Sequence, residues 1–68
     1  MSTLSENIKN KRKQLNLTQE NIAVKLNINR ATDAGYETGK SSPDIETLIK
    51  LADLFETSID FLVGRYTR

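Results

Sequence analysis

The chain has no cysteine and no histidine among its 68 residues. The first absence rules out disulfide stapling. The second leaves a structural zinc site almost no ligands to draw on and, with the first, removes the usual general base, nucleophile and metal ligands. Also missing is any run approaching the roughly 18 apolar residues of a membrane span. The opening MSTLSENIKNKRKQ has no apolar stretch of the secretory type. A cytoplasmic location is therefore expected, with no membrane partner. Internal repeats and low-complexity runs are absent, and no period-two alternation is long enough for a strand. An enzyme is not expected. The carboxylates fall on exposed helix faces, and so small a chain has little room for a water-excluding pocket. No catalytic residue, cofactor, metal or small-molecule substrate is assigned. Gly39-Lys40-Ser41 spells the end of a phosphate-binding loop, but that motif needs a glycine where Ala34 stands and a strand before it.

What is present reads as one domain over residues 1–68, near the lower size limit for folding on a single apolar core. Charge is unevenly distributed. Residues 1–30 carry six cations against two carboxylates, leaving +4, and residues 31–68 carry four cations against seven carboxylates, leaving −3. Such a domain can turn a positive face toward a polyanion, although a mixed solvated surface accounts for the same numbers. Apolar residues recur at helical spacing: Leu4, Ile8 and Leu15, with the stem of Lys11 filling one place; then Ile22, Ala23, Leu26 and Ile28; then Ile45, Leu48, Ile49, Ala52 and Phe55; then Ile59, Leu62 and Val63. Capping residues fall between the runs. Ser2 or Thr3 opens the first helix, Thr18 the second, Asn29 the third and Ser58 the fifth. Pro43 and Asp44 suit the first turn of the fourth, and Gly39 and Gly64 suit helix exits. Five short helices in a compact all-α bundle result, with the second and third joined at about Asn27–Asn29.

A helix, a short turn and a second helix can hold that second helix in a DNA major groove. The segment from Thr18 to Thr38 has the length and caps for such a unit. The residues carry the reading further. RKQLNLTQENIAVKLNINRATDAGYETGKSSPDIETLIKLADLFETSIDFLVG resembles the Cro/repressor-type (XRE) helix-turn-helix family. The matching features are Arg12; Leu17-Thr18-Gln19; Ala23, Leu26 and Ile28; Tyr36-Glu37; Gly39-Lys40; Ser42-Pro43; and the LADLFETSIDFLVG close.

The resemblance implies a lambda-repressor-like fold and sequence-specific binding to double-stranded DNA by a prokaryotic or phage transcriptional regulator, with repression the expected mode. Residues about 29–38 would form the recognition helix. Thr18 and Gln19 match the start of the helix across the backbone, with Gln19 bonding phosphate and bracing the recognition helix. Asn29, Arg30 and Ala31 match positions that meet base edges, and Arg30 suits either guanine or phosphate. Ala34 and Gly35 continue that face, and Lys40 matches a loop position facing phosphate. Arg12 and Glu37 match a structural salt bridge, and Ala23 a small position where two helices approach. Tyr36, Leu48, Leu51, Phe55 and Leu62 read as core. A homodimer on a near-palindrome is implied, paired through the fifth helix and tail, with Phe61 either an exposed anchor or part of the core.

Three neighbouring residues depart from the pattern. Asp33 stands where the family has a large aliphatic residue facing the core. Gly35 stands where a polar residue often reaches a base, and Ala34 is mute toward hydrogen bonds. Asp33 turns outward or finds a partner; or positions 33–35 were altered by design; or the third helix orders only on binding. These departures leave room for an alternative, a protein-interaction module or antitoxin- or antirepressor-like relative on the same fold. Asp33→Ile is expected to raise the melting temperature in a thermal scan. An unchanged midpoint would place Asp33 outside the core.

Overall fold

The computed structural model describes residues 3–64 and contains five helices. These are α1 (Thr3–Gln14), α2 (Gln19–Leu26), α3 (Arg30–Thr38), α4 (Ile45–Leu54) and α5 (Ile59–Leu62). α1 begins at Thr3, and the expected cap at Ser2 lies outside the described residues. Glu6 lies in its first turn and Lys11, Arg12 and Lys13 in its last, each sign facing the helix end that favours it.

Three of the helices leave by the same device. Asn16, Asn27 and Glu56 each adopt a left-handed backbone, with φ of 58°, 59° and 54°. In each case two backbone N–H groups turn back onto the helix just ended. The pairs are Asn16 to Lys13 and Leu17 to Arg12; Asn27 to Val24 and Ile28 to Ala23; Glu56 to Asp53 and Thr57 to Ala52. This pattern satisfies the last orphan carbonyls without extra residues. Gly39 (φ 82°) ends α3, as the sequence suggests, and Gly64 (φ 78°) follows α5. The glycine-based expectation overlooked the other exits: two are at asparagine, which enters the left-handed region occasionally, and one is at Glu56.

The entry caps hold with two corrections. Ser58 Oγ accepts from the Phe61 N–H at 3.0 Å. Asp44 is the cap of α4 itself, accepting from the Thr47 N–H at 2.9 Å, so Pro43 precedes the helix rather than joining its first turn. Asn29 occupies the cap position of α3 in extended conformation, yet its side chain makes no capping hydrogen bond.

The core gathers one to three residues from every helix: Ile8 from α1, Ile22 and Leu26 from α2, Tyr36 from α3, Leu48, Leu51 and Ala52 from α4, and Leu62 from α5. Phe55 completes it, and Leu4, Leu17 and Ile28 pack around it. α3 packs on α2 and α1, and α5 on α1 and α4. Asn7 fastens the last of these contacts, its amide donating to the carbonyls of Phe61 (2.9 Å) and Leu62 (3.1 Å). Periodicity overstates the core. Leu15, Ile45, Ile49, Ile59 and Val63 have helical spacing but are exposed, Ile45 at 71%. A wide apolar stripe on α4 exceeds what its neighbours can cover.

α4 therefore carries its own control. Leu51→Ala, at a fully buried position, is expected to cost about 2–5 kcal/mol in urea unfolding. Ile45→Ala should stay within about 0.5 kcal/mol of the unaltered chain.

Candidate nucleic-acid interface

A reciprocal pair fixes the start of α2: Thr18 Oγ1 accepts from the Asn21 N–H at 3.0 Å, and Asn21 Oδ1 accepts from the Thr18 N–H at 2.9 Å. This closed box orients the first turn and sets Gln19 at its head. The turn Asn27–Asn29 follows, with Ala23, small and buried, on the α2 side. The Asn29 carbonyl then accepts from the N–H groups of Thr32 and Asp33 and starts α3.

α3 divides sharply between its faces. Asp33, Tyr36 and Glu37 are buried. Asn29, Arg30, Ala31 and Thr38 are exposed, and Ala34 and Gly35 half-buried. Thr18 and Lys40 are exposed and Gln19 half-buried. The candidate residues therefore form one surface along α3 with the head of α2 beside it. The structure places something over Gly35 that the sequence does not announce. Ser41 donates its backbone N–H to the Gly35 carbonyl at 3.2 Å, and a Cβ built on Gly35 would stand 2.7 Å from Ser41 Oγ. The loop carrying Lys40 thus folds back against α3 where a side chain would otherwise sit.

Beneath the surface, Arg12 grips Glu37 with two hydrogen bonds, Nε to Oε2 at 2.7 Å and Nη2 to Oε1 at 3.1 Å. Its Nη1 donates to the Leu17 carbonyl at 2.9 Å. Every nitrogen of the guanidinium is engaged, and the fork geometry suits a carboxylate. Gln19 joins the cluster, its Nε2 donating to Glu37 Oε1 at 3.2 Å while its Oε1 accepts from Arg30 Nη1 at 3.4 Å. Gln19 therefore touches α3 on both its inner and outer sides.

Burial works against the Glu37 carboxylate, but hydrogen bonds from Arg12 and Gln19 outweigh it and hold the group below its ordinary value. Arg12 is raised by its hydrogen bond to Glu37, against the cost of burial. Asp33, one turn before Glu37, is fully buried, and neither of its oxygens has a hydrogen-bond partner. Burial first, and then Glu37, push it up to about 7, with Arg12 opposing. Glu37 offers Asp33 only another carboxyl, so a hydrogen bond between the two exists only when Asp33 carries a proton. Asp33 thus faces the core, as its register in the helix requires; of the three explanations for the departures, an outward-turned Asp33 is excluded.

Phe61 is half-buried, with Lys11 Nζ 5.2 Å from its ring centroid. It is neither a bare anchor nor a core residue. Among the described residues no helix is long and apolar enough to cross a membrane, and no cluster of potential metal ligands occurs. Sequence reasoning missed Asn7, whose side chain acts on backbone brought near by folding, and the return bond of the Asn21 side chain to Thr18, which lies only three residues away.

A family model described as "Helix-turn-helix" matches residues 8–62. An uncharacterized HTH-type transcriptional regulator of Bacillus subtilis, YqaE, is 46% identical over 59 residues, covering 87% of this chain and 51% of that protein. The cryptic phage CTXphi transcriptional repressor RstR of Vibrio cholerae is 40% identical over 63 residues, covering 93% of this chain and 56% of that protein. The chain spans about half the length of these curated relatives. Among solved structures, a transcriptional regulator from Listeria innocua superposes with a TM-score of 0.87 at 43% identity, over 96% of this chain and 60% of that one. The P22 c2 repressor protein, solved in complex with a synthetic operator, gives 0.86 at 22% identity over 93% and 96%, a likeness of fold.

The buried cluster predicts unequal costs at its two ends. Arg12→Ala leaves two carboxyls and no cation, and should cost about 3–5 kcal/mol in urea unfolding. Glu37→Ala leaves Arg12 able to serve Asp33, and should cost less, about 1–2 kcal/mol.

Proposed function

Because the chain belongs to the helix-turn-helix family, we propose that it is the DNA-binding domain of a transcriptional regulator and binds double-stranded DNA in a sequence-specific manner. One observation carries this reading. The inner side of α3 is locked into the core, while its N-terminal outer side, with Asn29, Arg30 and Ala31, is exposed beside Gln19 at the head of α2. A rigid helix presented this way fits a major groove, where every base pair differs in its donors and acceptors.

In this reading the N–H groups at the head of α2 face a phosphate, with Thr18 and Gln19 next to it. Arg30, steadied by Gln19, reaches a guanine edge or a flanking phosphate, and Asn29, spared from capping, is available to a base. Lys40 approaches the backbone from a loop seated against Gly35. Ala31 and Ala34 contribute shape and apolar contact. The domain spans residues 1–68, works in the cytoplasm, represses, needs no cofactor or metal, and has no catalytic role. It pairs as a homodimer on DNA. The exposed Ile59 of α5 and Val63 just after it, rather than Phe61, are the apolar residues offered for that pairing.

A second reading, a protein-interaction module, draws support from the mute residues Ala31, Ala34 and Gly35 on the outer face. Salt separates the two. Binding to a nonspecific duplex should weaken with a log–log slope of about −3 to −4 per subunit. Lys40→Ala should reduce that slope by about 1. Undetectable duplex binding at physiological salt would favour the interaction module.

A further inference from the structure

We propose that a single proton on Asp33 regulates DNA affinity, by deciding whether the Arg12–Glu37–Gln19 cluster can hold Arg30 in place. The inference rests on the DNA-binding reading above and adds a control to it.

The geometry leaves the Asp33 carboxylate nowhere to go. Its side chain is fully buried and neither oxygen has a partner. The cation able to serve it is Arg12 of α1, each of whose three nitrogens already donates to Glu37 or the Leu17 carbonyl. From its own helix Asp33 meets Glu37, a second negative charge. α2 offers the cluster only the neutral Gln19. The charged groups of α4, namely Glu46, Lys50 and Asp53, are exposed, as are Lys40 and Asp44 in the loop before it. The dipole at the start of α3 favours an ionised Asp33, but this is a small effect beside burying a lone charge.

A protonated Asp33 is compatible with the observed arrangement, since it can donate to Glu37 and leave Arg12 where it is. An ionised Asp33 competes with Glu37 for one guanidinium. To the extent that Asp33 draws the guanidinium toward itself, Glu37 loses its hold. Glu37 Oε1 is the acceptor for Gln19, and Gln19 is the acceptor for Arg30. Loss of the proton therefore travels three contacts to the exposed head of α3.

The sign follows from the two carboxyls. Burial raises Asp33 to about 7 in the folded chain, above an unfolded value of about 3.9. Its stabilising contribution is complete at acid pH and is lost as pH rises through about 7. Glu37, held low, acts oppositely, losing its contribution only as pH falls through its depressed value. Above the ordinary carboxylate range, then, Asp33 governs. No histidine titrates in that window, and the remaining group near it is the terminal amine.

The test compares the unaltered chain with Asp33→Asn and, as a second nontitrating variant, Asp33→Leu. Affinity for a labelled random-sequence duplex is measured at fixed ionic strength from about pH 6 to about pH 8.5, alongside urea midpoints at each pH. The unaltered chain should lose about tenfold in affinity across that range, and its urea midpoint should fall. Both variants should stay flat within about twofold, which also cancels the terminal amine. Parallel affinity curves for all three proteins overturn the proposal. So does a falling urea midpoint in the unaltered chain with pH-independent affinity, which would confine the proton to stability. Folded protein that binds no duplex at any pH overturns the DNA-binding reading as well, and the urea profiles still report whether Asp33 titrates.

Discussion

The grip of Arg12 on Glu37 is the contact on which the rest of this small molecule depends. It joins the end of α1 to the end of α3, and its third hydrogen bond fixes the turn at Leu17. One guanidinium thereby sets the distance between the first helix, the entry to α2 and the inner face of α3. In a larger protein this could be left to apolar packing. Here each helix contributes at most three residues to the core, and a domain of this size has little apolar area to spare. A directional interaction supplies the angular precision that a small core lacks, although a buried ion pair adds little net stability beyond that.

The same contact explains why the outer surface is orderly. Gln19 sits between Glu37 and Arg30, so the residue at the head of α2 is held from within before it meets anything outside. Preorganisation of this kind reduces the side-chain entropy lost on association. The loop bearing Lys40 is seated in a comparable way. The missing side chain of Gly35 leaves space, Ser41 enters it, and the lysine next to it is carried on anchored backbone. Gly35, which by resemblance belongs to the reading face, acts here through the room it leaves.

Much of this was legible in the residues. The five helices, the Thr18 and Ser58 caps, the Gly39 exit, the buried Tyr36, Leu51 and Leu62, and the Arg12–Glu37 pair all follow from period, capping chemistry or family pattern. The exceptions have physical reasons. Ile45 and Ile49 keep the helical period but look outward, because periodicity identifies a face and cannot say how far a neighbour covers it. The exits at Asn16 and Glu56 passed unnoticed, since left-handed backbone at such residues is decided by the carbonyls it can satisfy. Asn29 has the right identity for a cap, yet its amide is not used as one. The direction of Asp33 was foreseeable from its register. Its isolation there was not, because that depends on each nitrogen of Arg12 already donating elsewhere.

The clasp of Asn7 on the carbonyls of Phe61 and Leu62 has a mechanical corollary. α5 is a single turn and is tied at its far end to α1 rather than to α3. Tension applied to the backbone at Gly64 is therefore delivered first to α1, the same helix whose Arg12 holds α3.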